Sequence, residues 1–104
     1  MNIIILITAK NQQEAEKISQ ALVHQKLIAC ANILKDIKSF FWWEGKIDEA
    51  DEVLLILKTK KSLFRKIEKA VKTLHSYEVP EIIALPIIEG HKPYLKWVNE
   101  STAK

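Results

Sequence analysis

Residues suited to chemistry are concentrated in one short segment of the chain. His75 offers an imidazole, Tyr77 a phenol and Glu81 a carboxylate. A neutral imidazole beside a carboxylate suits a divalent transition metal, so these side chains are the first candidates for metal ligands. The spacing alone is a weak signal, because dedicated zinc sites show tighter Cys and His patterns. For His75, a helix-capping or hydrogen-bonding role competes with metal ligation.

Cys30 is the only cysteine, so it cannot form a disulfide within the chain. The sequence therefore carries no mark of an oxidising compartment, and we expect a cytoplasmic protein. Cys30 begins the second predicted strand, at the opposite end of the sheet from His75. A buried structural thiol is its main interpretation, and ligation of a soft metal across a subunit contact is the alternative.

Patterns typical of catalysis are largely absent. The chain has no Gly-rich phosphate loop and no serine nucleophile elbow. Its only arginine, Arg65, lies on a predicted helix where no phosphate cradle is expected. We expect no enzymatic activity. Proton transfer by His75 and Tyr77 stays open as a further hypothesis, for which the sequence names no substrate.

The composition also argues against nucleic-acid and membrane partners. The formal net charge is +3, and the only tight basic cluster is Lys58, Lys60 and Lys61. The predicted third strand lacks the aromatic side chains on which RNA-recognition domains stack bases. No apolar stretch approaches the roughly 20 residues that cross a bilayer.

The elements that must position these residues follow from hydrophobic periodicity and turn signals. The predicted elements are a strand over 3–7, a helix over 11–26, a strand over 27–43, a turn at 44–46, a strand over 53–57, a helix to residue 74, a strand over 81–88 and a helix after Pro93. This order predicts one α+β domain over residues 1–104, with the ferredoxin-like βαββαβ arrangement and a short C-terminal helix. The expected strand order is 4-1-3-2, with both long helices on one face.

Several residues set the predicted boundaries of these elements. Asn11 and Glu14 form a capping pair for the first helix, and Thr59 is the expected cap of the second. A bend is expected within the second strand near Lys35 and Asp36. Because proline cannot donate to a strand ladder, Pro86 predicts an edge strand or a bulge.

One face of the predicted sheet has no cover, because two helices shield only the other face. Successive strand residues point to opposite faces, so Phe40, Phe41, Trp42 and Trp43 cannot all lie under one layer. Exposed apolar patches of this kind are rare in monomers. We therefore expect a homo-oligomer with Phe40, Phe41 and Trp42 at the contact. The alternative is a bend that folds all four rings inward.

Four ordered blocks of the sequence match a pattern shared by a known family. They are residues 27–32 (LIACAN), 39–47 (SFFWWEGKI), 57–59 (LKT) and 75–86 (HSYEVPEIIALP), followed by Gly90 and residues 94–97 (YLKW). Together they cover essentially the whole chain. In this pattern the sequence resembles the CutA family of divalent-cation tolerance proteins.

The resemblance implies a cytoplasmic homotrimer, similar to PII signalling proteins, that contributes to tolerance of copper and other divalent metals without an established catalytic activity. Family members that hold copper do so with a cysteine late in the first strand and two adjacent histidines at the end of the second helix. Here Ile7 and Leu74 occupy two of those positions. Only His75 remains, so Glu81, Tyr77 or a neighbouring chain must supply the other ligands.

The resemblance also implies a cleft between subunits. Its lining residues correspond to the metal candidates His75, Tyr77 and Glu81 together with Trp43, Lys58, Thr59, Pro80 and Trp97. The leading hypothesis is a trimer that binds copper or another divalent ion near subunit contacts, with no metal required for folding. The rival hypothesis is a PII-like regulatory or scaffold trimer whose clefts receive a small ligand or a partner protein.

Overall fold

The computed structural model describes all 104 residues of the chain. The elements are β1 (Asn2–Ala9), α1 (Gln12–His24), β2 (Cys30–Trp43), β3 (Lys46–Lys60), a 3-10 turn (Lys61–Leu63), α2 (Phe64–Leu74), β4 (Ile82–Pro86) and α3 (Lys92–Ser101). The predicted order of four strands and two helices, with a short C-terminal helix, is confirmed.

The four strands form one antiparallel sheet in the order β2-β3-β1-β4, which is the predicted order. β4 lies at an edge of the sheet, as Pro86 predicted. An edge strand tolerates proline because one of its sides has no neighbouring strand to receive an N–H. The predicted span of the third strand was too short. Its first residues, from Lys46 to Glu52, are mostly polar and lack an apolar run, yet they pair with β2 through the backbone.

The paired ends of β2 and β3 project from the sheet as a hairpin, residues 37–52, which we call the arm. The predicted bend is confirmed, because the pairing register shifts between Leu34 and Ile37 and Asp36 has a φ of +61°. Positive φ at Glu44 and Gly45, +50° and +77°, fits the tight turns that join twisted strands. The arm helps to explain the elongated dimensions of the molecule, 44 × 26 × 22 Å.

The two predicted helix caps have different outcomes. Asn11 caps α1 as predicted, because its side chain accepts a 2.8 Å hydrogen bond from the backbone N–H of Glu14. The predicted cap at Thr59 is wrong. β3 continues to Lys60, so Thr59 is a strand residue whose hydroxyl donates to the carbonyl of Leu27 at 2.6 Å. α2 follows a 3-10 turn and has no side-chain cap.

The main core lies between the helices and one face of the sheet. Ile5, Ile7 and Leu55 from the strands are fully buried against side chains of α1 and α2, including Ile18 and Ile67. Each such side chain contributes about 1.5–3 kcal/mol relative to exposure. The helices therefore fix the end of β1 against the start of α1 and the end of α2.

The other face of the sheet is largely open, as predicted. α3 contacts β3 and β1 and covers only the end near Cys30. Away from α3, Leu34, Ile83 and Leu85 stay 42%, 48% and 47% exposed. All four rings at positions 40–43 are exposed as well, up to 72% for Trp42. The alternative in which these rings fold inward is therefore wrong for the protomer.

Candidate functional site

Five residues from five parts of the chain meet where β1 ends, and we call them the sheet-end cluster. Thr8 is near the last residue of β1, Glu14 lies in the first turn of α1 and Glu52 lies at the base of the arm. His75 is the C-cap of α2, and Tyr77 follows it in the connection to β4. The antiparallel packing of α1 and α2 on the sheet brings these elements to one edge.

Both ring nitrogens of His75 already have hydrogen-bond partners. Nδ1 accepts the backbone N–H of Tyr77 at 3.0 Å, and Nε2 lies 2.7 Å from the carbonyl oxygen of Thr8. Because an N–H can only donate, Nδ1 must be unprotonated, and Nε2 must carry the proton that it donates to Thr8. His75 is thus a buried, neutral imidazole. Its predicted capping role is confirmed by a 2.8 Å bond from its N–H to the carbonyl of Val71.

Glu14 is a buried carboxylate that ties two backbone segments together. Its oxygens accept the N–H of Lys10 at 3.1 Å and the N–H of Ser76 at 2.9 Å, and Oε1 lies 3.8 Å from Nδ1 of His75. Burial alone raises the pKa of Glu14, but the hydrogen bonds from Ser76 and Lys10 outweigh burial. The pKa is therefore lowered, and the carboxylate is charged at neutral pH.

Tyr77 joins the cluster to the arm. Its hydroxyl donates a 2.8 Å hydrogen bond to Oε2 of Glu52, and its ring packs on that of His75 with centroids 4.8 Å apart. Burial, followed by the nearby carboxylates, raises the pKa of Tyr77 to about 12. The phenol therefore stays protonated at neutral pH. Both nitrogens of His75 are engaged as well, so neither group predicted for proton transfer is free to accept a proton.

The predicted metal candidates are only partly brought together. His75 and Tyr77 are in contact, whereas Glu81 is exposed just before β4. Cys30 pairs with Lys58 at the far end of the sheet, as predicted. No three His, Cys, Asp or Glu side chains of one protomer are placed to hold a metal ion. The predicted ligand set therefore stays a prediction.

The predicted cleft residues are spread over the protomer. Trp43 lies at the exposed tip of the arm, and Trp97 packs on Tyr94 with ring centroids 5.5 Å apart. Lys58 donates a hydrogen bond to Asn32 on the open sheet face. Thr59 is fully buried and does not reach the surface of the protomer. Pro80 lies in the connection to β4. Their assembly into one cleft stays a prediction.

Sequence reasoning missed the two carboxylates of the cluster as site residues. Glu14 had a signal, since its spacing from Asn11 predicted a cap, but its bond to Ser76 joins residues 62 positions apart. Glu52 directly precedes the apolar run that begins at Val53, and nothing in that pattern indicates a tyrosine partner 25 residues later. Long-range polar pairs of this kind leave no periodic trace.

Comparison with known proteins gives consistent matches. Residues 3–101 match the family described as CutA1 divalent ion tolerance protein. Divalent-cation tolerance protein CutA of Archaeoglobus fulgidus is 48% identical over 101 residues, covering 97% of this chain and 98% of the relative. The corresponding protein of Thermus thermophilus is 44% identical over 102 residues, covering 98% and 99%.

Solved structures agree with these matches. The divalent cation tolerance protein of Thermus thermophilus superposes with a TM-score of 0.98 at 44% identity, over 99% of this chain and 100% of that one. A structure from Archaeoglobus fulgidus, whose name describes it as periplasmic, gives a TM-score of 0.95 at 48% identity, over 97% and 98%. None of the helices in this chain is long and apolar enough to span a membrane.

Proposed function

This chain belongs to the CutA1 divalent ion tolerance family, and we propose that it acts in the cytoplasm as a homotrimer that binds copper or another divalent cation near its subunit contacts. Membership confirms the resemblance found in the sequence. The matches favour divalent-cation tolerance over the rival PII-like regulatory function. The observation that carries the proposal is the apolar sheet face, most of which α3 leaves uncovered.

The open face and the arm support assembly of several copies. Leu34, Ile83 and Leu85 lie on the same face as the half-buried Leu54 and are each over 40% exposed. Because each is already about half buried in the protomer, burying the rest of each side chain would contribute about 1 kcal/mol. Light scattering should give three times the 12.0 kDa protomer mass at micromolar concentration. A stable, folded particle of 12.0 kDa would contradict the proposal.

A metal site between copies agrees with the chemistry of the cluster. No three His, Cys, Asp or Glu side chains meet within one protomer, and we propose that a second copy completes the site. Nδ1 of His75 carries a lone pair that accepts the backbone N–H of Tyr77, so a metal ion at Nδ1 would have to displace this hydrogen bond. Glu81 is exposed and has no hydrogen-bond partner in the protomer, which leaves its carboxylate available to a metal shared with a neighbouring copy. We propose His75 and Glu81 as the first ligands, with Tyr77 and Cys30 as further candidates.

Titration of Cu(II) into the assembled protein tests this site. Glu81→Gln and His75→Ala should each weaken binding by about tenfold or more, as the loss of a ligand does. His24→Ala is the matched control, because His24 is exposed on α1 away from the cluster, and it should leave binding unchanged. Since His75 is buried, circular dichroism must show that His75→Ala is folded. Isotherms of Glu81→Gln and His75→Ala that match the wild type would remove both residues from the proposal.

We propose a role without catalysis. The two groups best placed for proton transfer are already engaged, since both nitrogens of His75 are hydrogen-bonded and the pKa of Tyr77 is about 12. The proposed cytoplasmic location is supported by the single cysteine, which can form no disulfide within the chain. Cell fractionation with a tagged full chain tests it, and recovery in an oxidising compartment would contradict it.

A further inference from the structure

The charges of the chain are unevenly distributed, with an excess of cations around α2. Residues 60–73 hold six cations and one acid, a net charge of +5. Because the whole chain carries +3, the other 90 residues carry a net charge of −2. The cations that are exposed on and just before α2 form a surface that we call the basic face: Lys61, Arg65, Lys66, Lys69 and Lys72.

The packing of α2 holds this face towards solvent. Ile67 and Val71 are buried in the core on the opposite side of the helix. Arg65, Lys69 and Lys72 follow one another at i, i+4 and i+7, a row about 10 Å long. With Glu68 and Thr73 they line a shallow groove of about 410 Å³. The basic face is therefore a fixed feature of the surface.

The basic face is electrostatically unfavourable within the protomer. Its only ion pair joins Arg65 to Glu68 at 3.4 Å, and none of its lysines has an acidic partner. Like charges three or four residues apart on a helix repel, as Arg65 and Lys69 or Lys69 and Lys72 do here. The first turn has no acid and no side-chain cap, so the helix dipole opposes the cations near it. An anionic partner would relieve this repulsion.

We propose that the basic face binds an extended acidic segment of a partner protein. Cations at i and i+4 are separated by about 6 Å along the helix axis, close to the 6.6–6.8 Å between alternate side chains of an extended strand. The face has no aromatic ring on which bases could stack and no exposed apolar side chain that could enter a bilayer. It lies on the helix side of the sheet, so it remains available when the open apolar face is covered.

A labelled peptide of alternating Glu and Ser is a direct probe. Fluorescence anisotropy should show binding to the full chain at low salt that weakens as NaCl is added, because exposed charge pairs are screened. The double variant Lys69→Glu/Lys72→Glu should bind about tenfold more weakly or worse, since it reverses two contacts. Lys17→Glu/Lys96→Glu makes the same change in net charge on exposed positions of α1 and α3, and should bind as the wild type does.

Thermal unfolding separates loss of the surface from loss of the fold. In Lys69→Glu/Lys72→Glu, position 69 gains attraction to Arg65 and Lys66, whereas position 72 gains repulsion from Glu68, so these changes offset each other. Its unfolding temperature should therefore stay close to that of the wild type while its peptide binding falls. Equal losses in both double variants would overturn the proposal, because binding would then depend on net charge alone. Unchanged binding by Lys69→Glu/Lys72→Glu, or tighter binding of a DNA duplex than of the peptide, would also overturn it.

Discussion

The sheet-end cluster and the arm differ in how many of their polar groups and apolar side chains find partners within one protomer. In the cluster, each oxygen of Glu14, each nitrogen of His75 and the hydroxyl of Tyr77 has a partner within the chain. On the arm, large aromatic rings such as Trp42 are exposed with nothing packed over them. The difference indicates that the cluster stabilises the protomer, whereas the arm and the open face are the surfaces that the proposed trimer would cover.

The largest expected effect comes from charging the open face. Leu34→Asp/Ile83→Asp would place two carboxylates in the proposed contact, where burying an unpaired charge costs far more than the roughly 1 kcal/mol that the exposed half of each apolar side chain would contribute. We expect the mass in light scattering to fall from three times 12.0 kDa to a single protomer. Val23→Asp is the control, because Val23 is exposed on α1 and not on the sheet. Retention of the trimer mass by Leu34→Asp/Ile83→Asp would contradict the role given to this face.

A smaller but clear effect is expected inside the cluster. His75→Ala would leave the carbonyl of Thr8 and the N–H of Tyr77 without partners in a buried place. We expect the free energy of unfolding in guanidinium to fall by about 2–4 kcal/mol at equal protein concentration. His24→Ala, on an exposed position, should change it by less than about 0.5 kcal/mol. Equal stability of the two variants would show that the cluster does not hold the fold.

The same contrast explains what the sequence could predict. Apolar periodicity predicted the order of the elements, and the alternation of rings at positions 40–43 predicted the open face, because burial of apolar side chains decides both. The polar Lys46–Glu52 segment was not predicted as strand, since it has no apolar run and pairs with β2 through backbone hydrogen bonds and exposed ion pairs such as Lys38–Asp51. The partners of Glu14 and Glu52 were missed because they depend on contacts between distant segments.

Acid should weaken the cluster through Glu14. The folded-state pKa of Glu14 is lowered, so its contribution is fully present above the unfolded value near 4.5 and is lost as the pH falls through the folded value. In Glu14→Gln the side chain keeps one oxygen to accept a hydrogen bond, but its NH₂ group would face the second of the two backbone N–H donors. The free energy of unfolding should therefore fall by about 1.5–3 kcal/mol at neutral pH. Thermal unfolding from pH 7 to pH 3 should show the gap between wild type and variant closing at low pH. A constant gap would mean that the charge of Glu14 is not what stabilises the cluster.

The smallest expected effect lies where the two regions touch, at the bond between Tyr77 and Glu52 at the base of the arm. Tyr77→Phe removes one hydrogen bond and should lower stability by about 0.5–1.5 kcal/mol. Because the pKa of Tyr77 is raised to about 12, its contribution is complete below about pH 10 and is lost as the pH rises towards 12.

If this bond also orients the arm, Tyr77→Phe should weaken the trimer more than an equally destabilising change far from the arm. Thr102→Val is suitable for comparison, because it removes the buried hydroxyl that bonds the carbonyl of Val98 in α3. Dilution followed by light scattering measures the difference. Equal dissociation of the two variants would contradict a role of the Tyr77–Glu52 bond in orienting the arm. The bond would then stabilise the protomer alone, and the cluster and the arm would act independently.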